Sequence, residues 1–502
     1  MRRPRRTYSS VCARASAVLA SLACATIALD VICGHALLAA LYESHSPLTG
    51  IVMRNHATEP LVHYREALDA VVLKSSGTLI VAAAILLLAR NVIGTVLSIG
   101  TALVMLVGIF VLIDAYPPLA TALHVDSLPY FRFRITNLPD RSLAFVERPL
   151  SHSTTPNYRG GLYSPTYGID VEPTTVVWDT DADGFRNRVA LGHADIIILG
   201  SSFPGFGDRL EDTYAQKLEH YSGGTTVSNL AKGGYGPAEF LTVFRRYGLP
   251  KTPRVAILAF HTGDVDNATA AAAQSVARQI FFGTFFERWL LVLEELWHAA
   301  SESVGTAAAT GLKQLTTPEP IHPDVAVIRL PNGAVGKAVF FAKHTGQPTD
   351  ALLRSPSWRS FYDIVLAFKA ECEKNHITPV LVYIPWATEI YSEYTGVDSG
   401  RRWRAIRQSE ISTSGNDEAA ARTMSEAAGI PLISLLPAFR EAAREGKFLY
   451  HPLDDHWNAE GSDVAAATTA RALRQPYAQT GKRETTASPV AISPVDATNV
   501  SF

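Results

Sequence analysis

The sequence predicts an α/β chain: a three-layer α/β/α sandwich around a parallel sheet, preceded by N-terminal transmembrane helices. Three observations carry that reading. Short apolar runs rich in β-branched residues, DIIILG (195–200), RVAILAF (254–260) and TPVLVYIP (378–385), have the character of strands buried on both faces. Longer amphipathic stretches alternate with them, as the crossover helices of a parallel sheet must. Hydrophobic residues reach 47% against 18% charged, below the roughly 25% charge of a soluble globular chain, so part of the sequence is membrane-like.

The membrane-like part comes first. After MRRPRR the chain is apolar over about 15–42, and again over about 70–113 with a break at Arg90-Asn91. A span needs about 20 apolar residues, so the second block reads as two helices, 71–89 and 92–113. Arg2, Arg3, Arg5, Arg6 and Arg90 hold their ends in the cytoplasm by the positive-inside bias. Three spans then place the C-terminal part outside the cytoplasm. A cleaved signal peptide is the rival reading of the first segment, and it leaves the same side exposed. Asp30 lies within that segment.

The domain plan is therefore a membrane region over 1–115 with about three transmembrane helices, and a juxtamembrane extension over 116–185, rich in Pro, Tyr, Arg and Gly. An α/β domain follows over 186–476. A Thr/Ser/Ala/Pro-rich tail over 477–502 has the composition of a disordered segment. Within the α/β domain the elements run in order. After the first strand come a helix (214–221), a strand (TTVSNLA), a helix (PAEFLTVFRRYG), a strand (RVAILAF) and an insertion over about 268–345. Then follow a helix (WRSFYDIVLAFKAECEKN), a strand (TPVLVYIP), a helix (DEAAARTMSEAAG), a strand (IPLISL) and a last helix over 459–474. Crossovers between parallel strands should be right-handed. The insertion carries QIFFGTFFERWLLVLEELW, too charged for a span; it reads as an amphipathic helix that covers the site, rests on the bilayer or packs on the sheet.

Several function classes drop out. A net charge of −2 argues against a nucleic-acid binder. Four cysteines, Cys12, Cys24, Cys33 and Cys372, make no disulfide scaffold, and no Cys/His cluster offers a metal site. No cofactor fingerprint is present; the Gly233, Gly234 and Gly236 turn is not GxGxxG.

Three segments at strand ends carry chemistry. ILGSSFPGFGD (198–208) runs from a strand into a tight turn and presents Ser202 at the C-terminal sheet edge, where ligands bind in open α/β folds. VSNLAKGGYGPAEF (227–240) leads a strand into a glycine-rich turn with exposed backbone N–H groups. LYHPLDDHWNAEGSD (449–463) places Asp454 two residues before His456, so that a carboxylate can orient an imidazole that takes a proton from a hydroxyl.

In this order the three segments resemble the SGNH/GDSL hydrolase family over about 181–475, starting with DADGFRN (181–187), similar to a segment upstream of the domain in membrane-linked members. The resemblance implies a flavodoxin-like SGNH fold. It carries the nucleophile onto Ser202 of Gly200-Ser201-Ser202, a second-block glycine onto Gly234, and the last block onto Asp454 and His456. The Asp-x-His-Trp form through Trp457 is similar to the alginate-type polysaccharide O-acetyltransferases. The third block departs: AFHTGDVDN (259–267) has Asp264 where the family expects the oxyanion-hole Asn. An ionised Asp cannot donate. Either Asn267 serves, or the hole uses the backbone at Ser202 and Gly234, or catalysis is weakened.

The function this resemblance implies is a membrane-anchored serine ester hydrolase at the cell envelope, with a Ser202–His456–Asp454 triad and an oxyanion hole from Ser202, Gly234 and Asp264. Its substrate would be an acyl ester or an acetylated carbohydrate, its surroundings the lipid bilayer, and it would need no cofactor. An O-acetyltransferase of an envelope polysaccharide, fed by a membrane acyl-transfer partner, is the alternative. A non-catalytic assembly or carbohydrate-binding protein on a degenerate scaffold is the third reading.

Overall fold

In a computed structural model the described residues are 129–158, 171–268, 280–284, 287–292, 324–340 and 347–474, with single positions at 21, 104, 105, 108, 110, 111, 114 and 169. The three expected spans lie, but for a few positions, outside them, as does the tail. Among the described residues no helix is long and apolar enough to cross a membrane.

The apolar runs pair into one parallel sheet. Its strands are β1 (Ile196–Leu199), β2 (Val227–Asn229), β3 (Val255–Phe260), β4 (Thr378–Tyr383) and β5 (Leu432–Ser434), in spatial order 2-1-3-4-5. Every residue of β1 is buried, and β3 is buried from Ala256 onward, so neither strand needs an alternating pattern. Leu199 pairs with Leu258, and Tyr383 with Phe260 and Ser434, which brings the carboxyl ends close to level.

The chain leaves β1 in one direction and, after β2, turns back past it to β3. Right-handed crossovers then put helix Tyr214–Tyr221 on one face, and helices Pro237–Val243, Pro356–Lys374 and Asn416–Ala428 on the other. The packing agrees: Tyr214–Tyr221 lies against the last helix, Ala459–Arg474, while Pro356–Lys374 contacts Pro237–Val243 and Asn416–Ala428. The reversal makes the carboxyl edge between β1 and β3 the switch point of the sheet, the place where such folds hold ligands.

The stretch before the sheet is more regular than its composition suggests. It contains helix Pro129–Thr136 and two antiparallel pairs, Asn137–Asp140 with Ala144–Glu147 and His152–Tyr158 with Thr174–Asp179. The strands escape a hydrophobic-pattern reading because they are short or polar: NLPD and HSTTPNY offer almost no apolar alternation. The insertion supplies another hairpin, Val325–Arg329 with Val335–Val339. Its described helical part packs Ile280, Trp289, Leu291 and Val292 with Phe110, Tyr130 and Phe131. Beside that cluster Asp114 accepts from Tyr130 Oη at 2.5 Å and pairs with Arg134 and Arg288.

Candidate active site

The turn after β1 is built around Gly200. Its φ is +156°, and a Cβ there would stand 2.6 Å from the carbonyl oxygen of Ala259 in β3. Only a residue without a side chain lets the chain leave the sheet so close to its neighbour. Ser202 then caps a short 3-10 turn, Phe203–Gly205, with φ −74° and ψ −34°.

Ser202, His456 and Asp454 lie together. His456 Nε2 is 2.5 Å from Ser202 Oγ, and Nδ1 is 2.5 Å from Asp454 Oδ1. The His456 backbone N–H donates to the same carboxylate oxygen at 3.0 Å, which holds the two-residue Asp-x-His spacing closed. Burial works against charge on Asp454, but the hydrogen bonds from the His456 ring and backbone outweigh it, so this carboxyl titrates below the usual aspartate range. The imidazole is fixed from its faces as well. Phe206 stacks on it at 4.2 Å and 14°, and Phe203 packs against it at 4.9 Å. The loop carrying Asp454 is anchored to the insertion hairpin: Val339 N–H donates to Pro452 O, and Leu453 packs with Val325 and Val339.

The glycine turn after β2 closes the other side. Lys232 N–H donates to Gly200 O at 3.1 Å, which ties the two turns together. A Cβ on Gly233 would lie 3.4 Å from that of Ser202, while Gly234, at φ +85°, faces Phe145. Gly233 is thus the glycine that abuts Ser202. Among the described residues no backbone hydrogen bond uses the N–H of Ser202, Gly233 or Gly234.

The segment DADGFRN holds both turns, and its pattern alone assigned it no task. Arg186, 2% exposed, donates through Nη1 to Gly205 O at 2.9 Å and Gly207 O at 2.8 Å, and through Nη2 to Val177 O at 2.8 Å. Its guanidinium lies 4.2 Å over the Trp178 ring. Burial draws its pKa down to about 10, so it stays charged at neutral pH. Asn187 Nδ2 donates to Asn229 O and to Asp181 Oδ2, and its Oδ1 accepts from Asn229 N–H. One short segment therefore grips the serine turn through Arg186 and the end of β2 through Asn187.

The loop after β3 holds Asp264 differently from an oxyanion donor. Its carboxylate is buried, accepts from the His261 backbone N–H at 3.1 Å, and stands 3.4 Å from His261 Nε2. These contacts make it an acceptor. Asn267, the other candidate in this block, is exposed at the end of the short helix Thr262–Asp266, near Gly236. His261, given no task from sequence, lies 3.4 Å from Ser201 Oγ.

The model of one protein family, described as the SGNH hydrolase-like domain of the acetyltransferase AlgX, matches residues 364–499. That stretch takes in β4, β5, Asp454 and His456 but not Ser202. No curated protein matches the chain. Among solved structures, an acetyl xylan esterase, AlAXEase, is similar at 14% identity and a TM-score of 0.29, covering 55% of this chain and 99% of that one. A catalytic mutant of Axe2, an acetylxylan esterase from Geobacillus stearothermophilus, is similar at 10% identity and a TM-score of 0.29, covering 56% of this chain and 95% of that one. Scores this low carry no argument about activity. The fold is SGNH-like by its five-stranded parallel sheet and by the family match.

Proposed function

We propose that this chain is a serine enzyme acting on acyl esters at the cell envelope, membrane-anchored by its N-terminal apolar segments, with its α/β domain outside the cytoplasm. The observation that carries the reading is the position of His456, with Ser202 Oγ at one ring nitrogen and Asp454 at the other. Asp454 keeps the hydrogen on Nδ1, so Nε2 is the base. Ser202 Oγ attacks the ester carbonyl as its proton passes to His456 Nε2. His456 then returns that proton to the leaving alkoxide. The N–H groups of Ser202 and of the Gly233-Gly234 turn receive the oxyanion. The acyl-serine passes its acyl group to water or to a sugar hydroxyl.

The two outcomes differ only in the acceptor. The match to an acetyltransferase's domain favours a polysaccharide hydroxyl, with a membrane partner delivering the acyl group. The test is direct. A fluorophosphonate probe should label the wild type and not Ser202→Ala. With an acetyl donor, hydrolase activity appears as free acetate, and transferase activity as acetate on an added oligosaccharide. Equal labelling of both proteins would leave the non-catalytic scaffold as the reading.

A further inference from the structure

The insertion between β3 and β4 meets the end of the last apolar run. Every described position from 104 to 114 is helical. Phe110 and Asp114, four residues apart, share one face of that helix and are buried. Trp289 of the insertion packs edge-on against Phe110 at 5.0 Å between centroids, and Arg288 reaches Asp114 at 3.2 Å. Helix Pro129–Thr136 closes the cluster through Tyr130 and Phe131. Val104, Gly108 and Val111, spaced i, i+4 and i+7, fall on another face. All three are exposed, Val104 by 72% and Val111 by 45%. A Cβ on Gly108 would meet nothing within 4 Å. A helix with one face bare and apolar and another packed on protein is suited to lipid on the bare side.

The depth of this junction follows from the sequence. The span read over 92–113 would be about 33 Å long, against a hydrocarbon core of about 30 Å. Phe110 then lies within about 5 Å of the outer end of the span. At that level Trp and Tyr gather in membrane proteins and Arg side chains reach toward the headgroups. Trp289, Tyr130, Arg134 and Arg288 supply those residue types here.

Beside them the insertion carries two exposed large apolar side chains, Phe282 at 46% and Leu290 at 47%. Leu290 adjoins Trp289, and Phe282 lies two residues past Ile280, which is buried in the same cluster. Glu287, exposed between them, suits a segment in the headgroup layer rather than in the core. Phe281 leads inward: it packs on Phe133 at 5.7 Å, and Phe133 packs on Phe145 at 4.8 Å. Phe145 in turn stands 3.4 Å from where a Cβ on Gly234 would lie. Successive ring contacts thus run from the insertion to the glycine turn that abuts Ser202.

We propose that segment 280–292 is a membrane-contact element: Phe282 and Leu290 enter the headgroup–acyl boundary of the leaflet on the domain's side and seat the glycine-turn side of the serine site toward that surface. This rests on the membrane part of the reading above and is independent of the serine chemistry. Lipid is the occupant that the chain itself brings, because the bilayer that covers Val104 and Val111 ends beside Trp289.

The test places the fluorophore NBD on single cysteines introduced at Leu290, Phe282, Val104 or Val397 of the full chain. Cys12, Cys24 and Cys33 are replaced by alanine, while Cys372, fully buried, stays. The protein is reconstituted in phosphatidylcholine vesicles spin-labelled either near the headgroup or deep in the acyl chain. Val397, 89% exposed, is the aqueous control, and unchanged near-ultraviolet circular dichroism shows that each labelled chain is folded. The shallow quencher should remove most of the emission at Leu290 and Phe282, as for side chains about 5–10 Å into the boundary. The deep quencher should act at Val104, and neither should act at Val397. Quenching at Leu290 or Phe282 no different from that at Val397 overturns the proposal. A blue-shifted but unquenched label at Leu290 overturns it too, since protein, such as a second copy of the chain, would then cover the face. Val104 separates the two layers. Quenching there with none at Leu290 and Phe282 leaves the anchor standing and removes the contact; no quenching at any position removes both. A diazirine-bearing phosphatidylcholine, which needs no label on the protein, should cross-link within 280–292 of the wild type, and cross-links confined to 92–113 would give the same refutation.

Discussion

Replacing Arg186 by lysine tests how the serine turn is held. The guanidinium serves three carbonyl oxygens, those of Gly205 and Gly207, which are buried, and that of Val177, which is half-buried, and lies over Trp178. A lysine ammonium on a thinner stem cannot fork between them. If it keeps one or two, at least one of these carbonyls is left without a donor, at about 1–3 kcal/mol each. The lost stacking on Trp178 adds about 0.5–2 kcal/mol. The expected loss is about 2–5 kcal/mol, a large share of the roughly 5–15 kcal/mol that holds a typical domain folded. Chemical denaturation of the full-length chain followed by circular dichroism measures it. Under conditions where both proteins are folded, fluorophosphonate labelling of Ser202 should also slow, because the loop that carries Phe206 against His456 is no longer clamped. An Arg186→Lys protein within about 1 kcal/mol of wild type, labelled at the wild-type rate, would refute the clamp.

Asp454→Asn should leave the fold intact and lower kcat by about 10⁴, because the amide favours the wrong tautomer of His456; a loss under tenfold in p-nitrophenyl acetate turnover would contradict the assigned role. Gly200→Ala should cost about 2 kcal/mol or more in thermal unfolding, since the added methyl meets the Ala259 carbonyl in a backbone conformation that disfavours side chains. Glu410 and Asp417 give a pH signature of stability. Burial pushes Glu410 up to about 7 and Asp417 up to about 6. An acid whose folded pKa lies above its unfolded one stabilises the fold while protonated, and that contribution is lost as pH climbs from about 4–5 through these folded values. Glu410→Gln should therefore be near neutral at pH 5 and stabilising by on the order of 3 kcal/mol at pH 8; equal unfolding midpoints at both pH values would count against it.

The sheet was legible because β1, β3 and β4 are central strands, and burial on both faces shows as unbroken apolar runs. The turn residues were legible for the same reason: a Gly-Ser turn can only lie at the edge where such a run ends. Other elements were not. Helix Arg401–Thr413 reads RRWRAIRQSEIST, polar almost throughout, because it buries Glu410 beside Trp403 and Ile406. The hairpin Val325–Arg329 with Val335–Val339 carried a readable Asn332-Gly333 turn signal inside a stretch set aside as insertion. The proximity of Asp454 and His456 followed from their spacing. The partners that brace them did not, because Arg186, Asn187 and His261 act through contacts that are distant in sequence. Arg186 reaches across 19 and 21 residues to its loop, and Asn187 across 42 to Asn229. The choice between Gly233 and Gly234 likewise depends on which one the backbone turns toward Ser202.

Arg186 and Asn187 grip the two turns by main-chain atoms: the carbonyl oxygens of residues 205, 207 and 229 and the N–H of 229. Main-chain atoms are the same whatever residue stands there. Phe206 and Arg209, on or beside the clamped loop, contribute no atom to this grip. Side chains of the clamped loop can therefore change without loosening the clamp, Phe206 excepted, because its ring is stacked on His456. A library randomised at 209 with Arg186 and Asn187 held constant should keep most of its members folded. The same library in an Arg186→Lys background would lose most of its members to misfolding.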